Sequence, residues 1–157
     1  MTPTPAPADA PPLRGTVLSI EDDPVSVQLI GALLEAHPGV QLLHAANGAD
    51  GVHLARHAHP DFVLLDMHLP DMTGLDVVRQ LSEAIAARGL RISILTGDRT
   101  MSMDIIKAMS LGAYEYWVKP LDAVVFESGL RRALTGKRAD PAHTLGSQRG
   151  VNVMADR

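Results

Sequence analysis

The chain has 157 residues, enough for one domain and too few for two ordinary ones. Apolar residues make up 46% and aromatics only 3%, so Val, Leu, Ile, Ala and Met must fill the core. The net charge of −4 and pI near 5.9 argue against a nucleic-acid surface, and the lack of cysteine excludes disulfides and thiolate chemistry. No apolar stretch approaches the ~20 residues that span a bilayer, and no basic region followed by an apolar segment marks a secretory signal, so a soluble cytoplasmic protein is expected.

Residues 1–14 are rich in Pro and Ala and are expected to form a disordered, partly polyproline-like tail. The run 16–20 reads as a first strand, and Glu21, Asp22 and Asp23 follow it. Asp23 is expected to cap a helix that has Pro24 at its first position, with Val25, Leu29, Ile30, Leu33 and Leu34 on one face. Residues 40–44 read as a second strand, and Asn47 as the cap of a weaker helix over about 48–58. The run 62–65 is a third strand that ends on Asp66. Thr73 begins a helix with Leu75, Val78, Leu81 and Ile85 on one face, stopped at Arg88-Gly89. The fourth strand, 91–95, is closed by Thr96, and Ile105, Ile106 and Met109 mark the fourth helix. The fifth strand, 115–118, is closed by Lys119, and Val124, Val125, Leu130 and Leu134 mark the fifth helix. Residues 136–157 are polar and aperiodic and read as a second flexible tail, which leaves 15–135 as the folded unit.

Strand–helix alternation repeated five times implies an α/β fold, a parallel sheet with helices on both faces. In open sheets of this kind the site lies at the carboxyl ends of the strands. Asp66, the acidic cluster, Thr96 and Lys119 all fall there. Acids brought close together repel at pH 7, and a divalent hard cation resolves this; Mg²⁺ takes oxygen ligands, usually one or two carboxylates, and keeps several waters. Glu21, Asp22 and Asp66 suit that demand. With its charge offset, Asp66 can attack phosphorus and form an aspartyl-phosphate. The Lys119 ammonium and the Thr96 hydroxyl then serve the outer phosphoryl oxygens, with Gly97 leaving room for them.

The elements Ile20-Glu-Asp-Asp-Pro24, Leu64-Leu-Asp66 with Pro70 and Gly74, Leu95-Thr96-Gly97 and Val118-Lys119-Pro120 occur in this order, each after an expected strand. Over residues 15–135 the chain resembles the receiver domain of two-component response regulators, the CheY-like family. The resemblance implies a flavodoxin-like (βα)5 fold, a doubly wound five-stranded parallel sheet in three layers. It implies Asp66 as phosphoacceptor and Asp22 as a direct Mg²⁺ ligand. Glu21 would hold the metal mainly through water, and the backbone carbonyl of His68 would be a further ligand; Mn²⁺ is a substitute cofactor. It also implies a cis Lys119–Pro120 peptide, and a switch in which Thr96 moves toward the phosphate and the Tyr116 ring follows.

The function expected on this basis is that of a single-domain response regulator. It would take a phosphoryl group from a histidine kinase or histidine phosphotransfer protein and signal through the face of the fourth helix, fifth strand and fifth helix, a face that also dimerises in relatives. It is a signalling protein that catalyses its own phosphorylation and dephosphorylation rather than an enzyme. About twenty residues follow position 135, too few for an effector domain. The alternative is a receiver segment of a hybrid kinase or multidomain regulator. A haloacid-dehalogenase-type enzyme would need a second Asp where His68 stands, and few aromatics together with the acids at the first strand end oppose a flavin carrier. The His68 side chain and Asp98 flank the expected phosphoryl site and are candidates for tuning hydrolysis. His53 and His57, four apart on a helix, read as surface residues lacking a third metal ligand. Met101, Met103 and Met109 suit either an adaptable surface or the core. Strand alternation sends Trp117 to the face opposite Tyr116.

Overall fold

The computed structural model describes residues 11–97 and 102–136. Five strands, β1 (Gly15–Ile20), β2 (Val40–Ala45), β3 (Phe62–Asp66), β4 (Arg91–Thr96) and β5 (Glu115–Val118), form one parallel sheet in the order β2-β1-β3-β4-β5. The helices are α1 (Pro24–Leu34), α2 (Gly48–His57), α3 (Gly74–Gln80), α4 (Ser82–Arg88), α5 (Met103–Ser110) and α6 (Ala123–Thr135). This is the flavodoxin-like strand order, and its chain reversal places the crevice between β1 and β3.

Two cores lie on the two faces of the sheet, and strand alternation sorts residues between them. Leu18, Ile20, Val63, Leu65, Ile92, Ile94 and Tyr116 face α2, α3 and α5. Val17, Phe62, Leu64, Leu95 and Trp117 face α1 and α6. All five residues of β3 are buried, as expected for a central strand covered on both sides.

The structure departs from the expected elements in four places. The third helix is divided at Leu81, whose backbone leaves the helical region (φ −100°, ψ 6°), although its N–H still reaches Val77 O and Val78 O. Gly89, in the left-handed conformation, then ends α4. On α1 only Ile30 and Leu34 are buried; Val25 is 71% exposed and Leu29 37%, because the N-terminal half of α1 borders an open groove. On α6 the buried stripe is Phe126, Gly129, Leu130 and Ala133, and Val124 points to solvent. Gly129 belongs to that stripe because a Cβ there would stand 2.3 Å from the Trp117 ring. Finally Leu13, which the sequence places in the tail, is 1% exposed and packs into the core under α1 and α6. The remainder of both expected tails, residues 1–10 and 137–157, lies outside the described residues.

Candidate functional site

The backbone aligns the strand ends. Glu21 N–H donates to Ala45 O (3.0 Å), Met67 N–H to Leu95 O (3.2 Å) and Lys119 N–H to Thr96 O (2.7 Å), so each ladder continues one residue past its strand. Ile20, Leu65 and Met67 face the α2–α5 core, and alternation therefore turns Glu21 and Asp66 to the other side, together with Lys119 two residues beyond Trp117. There Lys119 Nζ stands 2.9 Å from Glu21 Oε1 and 3.4 Å from Asp66 Oδ1. The Lys119–Pro120 peptide is cis.

Glu21 is 1% exposed and Asp66 6%, whereas Asp22 is open to solvent. One ligand oxygen from each of the three lies within 4.8 Å of the others. Burial pushes the Glu21 carboxyl above its ordinary value; the Lys119 ammonium pulls it back, and the Asp66 charge adds to the push. Burial works against the Lys119 ammonium, but Glu21 and Asp66 outweigh it and hold the lysine above its ordinary value. Three carboxylates thus meet one cation. The only partner of the buried Glu21 Oε1 among the described residues is the Lys119 ammonium at 2.9 Å, which Asp66 also draws on. A surplus of negative charge and all-oxygen donors are what a hard divalent cation takes, and the residues present fit Mg²⁺.

Asp23 does not join this set. Its carboxylate accepts from Val25 N (3.1 Å) and Ser26 Oγ (3.0 Å) as the α1 cap, and the Val25 N–H foremost holds it below the ordinary carboxylate range. Thr96 ends β4 at 1% exposure, and among the described residues no atom stands within 4 Å of where a Gly97 side chain would begin. Ile94 pairs with Tyr116 and Thr96 with Val118, so Thr96 and the buried Tyr116 share a face of the sheet. Asp98 lies outside the described residues.

His68 is exposed on the loop after β3, and that loop is held at several points. His68 bridges to Thr73, Leu69 N–H donates to Met72 O (3.2 Å) and Gly74 N–H to Met67 O (2.8 Å). A Cβ on Gly74 would stand 2.9 Å from Asp66 O, so the loop can close this tightly only on glycine. At its tip the Asp71 carboxylate accepts from Gly48 N (2.7 Å) and Ala49 N (2.9 Å), which lowers the acid's pKa and ties the loop to the start of α2. The His53 and His57 rings stack at 4.2 Å on the exposed side of α2, and among the described residues no third ligand joins them.

Sequence reasoning missed His44, whose Nε2 lies 2.8 Å from Glu21 O. On a half-exposed edge strand it reads as an ordinary outward polar residue. It also missed the buried Glu115, whose carboxylate accepts from Arg132 at 2.9–3.1 Å and from Trp117 Nε1 at 3.0 Å. A charged residue opening a buried strand was the available signal.

A family model described as the response regulator receiver domain matches residues 17–130. Protein PilH of Pseudomonas aeruginosa is 33% identical over 120 residues, covering 76% of this chain and 98% of PilH. The probable transcriptional regulatory protein SilR of Salmonella typhimurium is 39% identical over 105 residues, covering 66% of this chain but 44% of SilR. The chain thus spans nearly all of PilH and less than half of SilR. Among solved structures, the receiver domain of sensor histidine kinase PA1611 from Pseudomonas aeruginosa, with a magnesium ion coordinated in the active site cleft, superposes with a TM-score of 0.67. It is 26% identical and covers 77% of this chain and 98% of that one. The aligned strand ends and the acid–lysine cluster they carry agree with these likenesses, and the chain belongs to the response regulator receiver domain family.

Proposed function

We propose that Asp66 is the phosphoacceptor of a two-component phosphorelay. The observation that supports this most directly is the cluster of Glu21, Asp22 and Asp66 oxygens within 4.8 Å of one another, faced by Lys119. Glu21, Asp22, Asp66 and the His68 carbonyl would hold Mg²⁺, with Mn²⁺ as a substitute. When bound, the ion offsets the charge on the acids and on the phosphoryl oxygens that approach them.

A carboxylate oxygen of Asp66 attacks the phosphorus of a phosphohistidine. The P–O bond forms as the P–N bond breaks, and the imidazole leaves with the electron pair and takes its proton from solvent. Lys119 pairs with one outer phosphoryl oxygen and the Thr96 hydroxyl donates to another. In the reverse direction water attacks phosphorus, the P–O bond to Asp66 breaks and inorganic phosphate leaves. His68, exposed two residues after Asp66, and Asp98 are the side chains that would tune its rate. The receiver therefore catalyses its own phosphorylation and dephosphorylation.

The donor, a histidine kinase or phosphotransfer protein, docks at the groove of about 360 Å³ beside Lys119, where Val25, Leu29 and Leu121 offer apolar surface. Output follows from Thr96 drawn to the phosphate and Tyr116 moving after it, a shift between two packings of the α5–β5–α6 face. Met103 and Ile106, 63% and 40% exposed on α5, are the apolar contacts this face offers a protein target or a second copy. The acidic balance speaks against nucleic acid. No helix among the described residues is long and apolar enough to cross a membrane, and a cytoplasmic site of action suits a phosphohistidine donor.

Acetyl phosphate and Mg²⁺ followed by intact mass test the central step. One phosphoryl adduct is expected in the parent and none in Asp66→Asn; a parent that takes none from any donor overturns the reading. The match to most of PilH favours a single-domain regulator, whereas the partial coverage of SilR and the kinase origin of the PA1611 receiver favour a segment of a larger protein. The mass of the endogenous protein separates the two.

A further inference from the structure

Glu21 and Asp22 are neighbours in sequence, and the peptide between them sets the point from which the Asp22 side chain departs. Its N-terminal partner, the Glu21 N–H, is held by Ala45 O at 3.0 Å, the last rung of the β1–β2 ladder. Beyond it β2 turns away toward the Asn47 cap of α2, so the Glu21 carbonyl has no backbone donor in the ladder. His44, opposite Ser19 in that ladder, fills the place, with its Nε2 2.8 Å from Glu21 O. A carbonyl oxygen only accepts, so Nε2 carries the hydrogen and the ring donates.

We propose that His44 is a positioning residue for the metal site, and this rests on the reading of Glu21, Asp22 and Asp66 as metal ligands. Its hydrogen bond locks the Glu21–Asp22 peptide and thereby aims the Asp22 carboxylate at the other two. The lock matters because Asp22, unlike Glu21 and Asp66, is exposed and no packing holds it. Before a cation arrives the three carboxylates repel, and Asp22 is the one free to swing into water. Anchoring its backbone removes that freedom in advance, as outer-shell hydrogen bonds do for metal ligands generally. The carbonyl bond polarises no reacting atom, so its effect belongs to metal affinity and not to transfer at saturating metal.

The test uses the full chain with His44→Leu, which keeps bulk and removes the donor, and His44→Gln, which keeps an N–H donor. Mg²⁺ alone is titrated by calorimetry, and acetyl-phosphate labelling is followed against Mg²⁺ concentration. The expected result is a Mg²⁺ dissociation constant raised about three- to tenfold in His44→Leu, the range of one hydrogen bond. Recovery of most of that loss is expected in His44→Gln, with labelling at saturating Mg²⁺ within about twofold of the parent in both. Equal Mg²⁺ affinity in His44→Leu and parent overturns the proposal, as does a His44→Gln as weak as the leucine variant. If the leucine variant does not fold, imidazole ¹⁵N shifts of the parent at alkaline pH decide together with His44→Gln. A ring hydrogen on Nδ1 overturns the proposal; a hydrogen on Nε2 and near-parental affinity in His44→Gln uphold it. A parent that binds no Mg²⁺ overturns the metal-site reading itself, whereas a parent that binds it and a leucine variant that binds it equally overturn only the role of His44.

Discussion

The sheet buries carboxylates at both of its ends, and the two ends treat them in opposite ways. At the start of β5, Glu115 is 0% exposed and closed on all sides: Arg132 meets it through two nitrogens and Trp117 Nε1 through a third. At the opposite end, Glu21 and Asp66 share the one Lys119 ammonium, and the exposed Asp22 brings a third carboxylate within 4.8 Å with no ion pair of its own among the described residues. Burial pushes both glutamates above the ordinary carboxylate range, and in each case a cation opposes it. The difference is satisfaction. A carboxylate whose lone pairs are all matched fastens α6 to the sheet and offers nothing to a ligand. A cluster left short of positive charge is a place where a cation and a phosphoryl group can complete the count.

The comparison breaks most sharply at Asp66. Asp66→Asn is expected to abolish the phosphoryl adduct in intact mass while circular dichroism stays that of the parent, and Glu115→Gln should keep the adduct. Next comes the closed end. Arg132→Leu strands a buried carboxylate and is expected to cost about 3–5 kcal/mol in urea unfolding, with most of it regained when Glu115 is also made apolar. Mg²⁺ affinity should not move in either protein. At the open end, Lys119→Leu should reduce phosphoryl transfer about a hundredfold through loss of a charge-stabilising donor, yet tighten Mg²⁺ by removing a competing cation.

The ionisation of Glu21 sharpens the contrast further. Its folded pKa is raised by burial, so its contribution is fully present below the ordinary glutamate value of 4.5 and is lost as pH climbs through the raised value. Without metal, Glu21→Gln should therefore gain stability relative to the parent across that window, as read by urea midpoints at successive pH. Saturating Mg²⁺, which binds the charged form, should reverse the gain. The smallest effect is expected at Asp71→Ala, where the amides of Gly48 and Ala49 should exchange several-fold faster while global unfolding barely changes.

The strands were legible because each is a short apolar run ended by a polar residue, and a central strand such as Phe62–Asp66 has no other use for five buried positions. Asp66, Glu21, Thr96 and Lys119 were legible as candidates for the same reason, since each stands at or one step beyond the end of an apolar run, and Asp22 follows Glu21 directly. Helix faces were harder. On α1 the spacing of Val25 and Leu29 matches a core stripe, but apolar spacing does not distinguish a core from a groove. On α6 the stripe runs through Gly129, which has no side chain to signal it and is buried only because Trp117 fills the space above. Leu13 was lost in a Pro-rich stretch whose composition outweighs one residue. His44 could not be found because its role depends on where β2 turns, and a hydrogen bond to a main-chain carbonyl leaves no pattern in the sequence.

The burial of Leu13 also fixes where the chain joins the fold. The chain enters the described fold beside α6, where Arg131 Nη1 donates to Pro11 O (3.3 Å), and passes out of α6 at Gly136, whose carbonyl accepts from Arg91 Nη2 (2.9 Å). Both exits thus lie at the end of the sheet where β1 and β4 begin, with Gly15 and Arg91 as their first residues. The strand ends at Glu21, Asp66 and Lys119 lie at the opposite end. Whatever chain is joined at either exit therefore meets the domain a full strand length away from the acids.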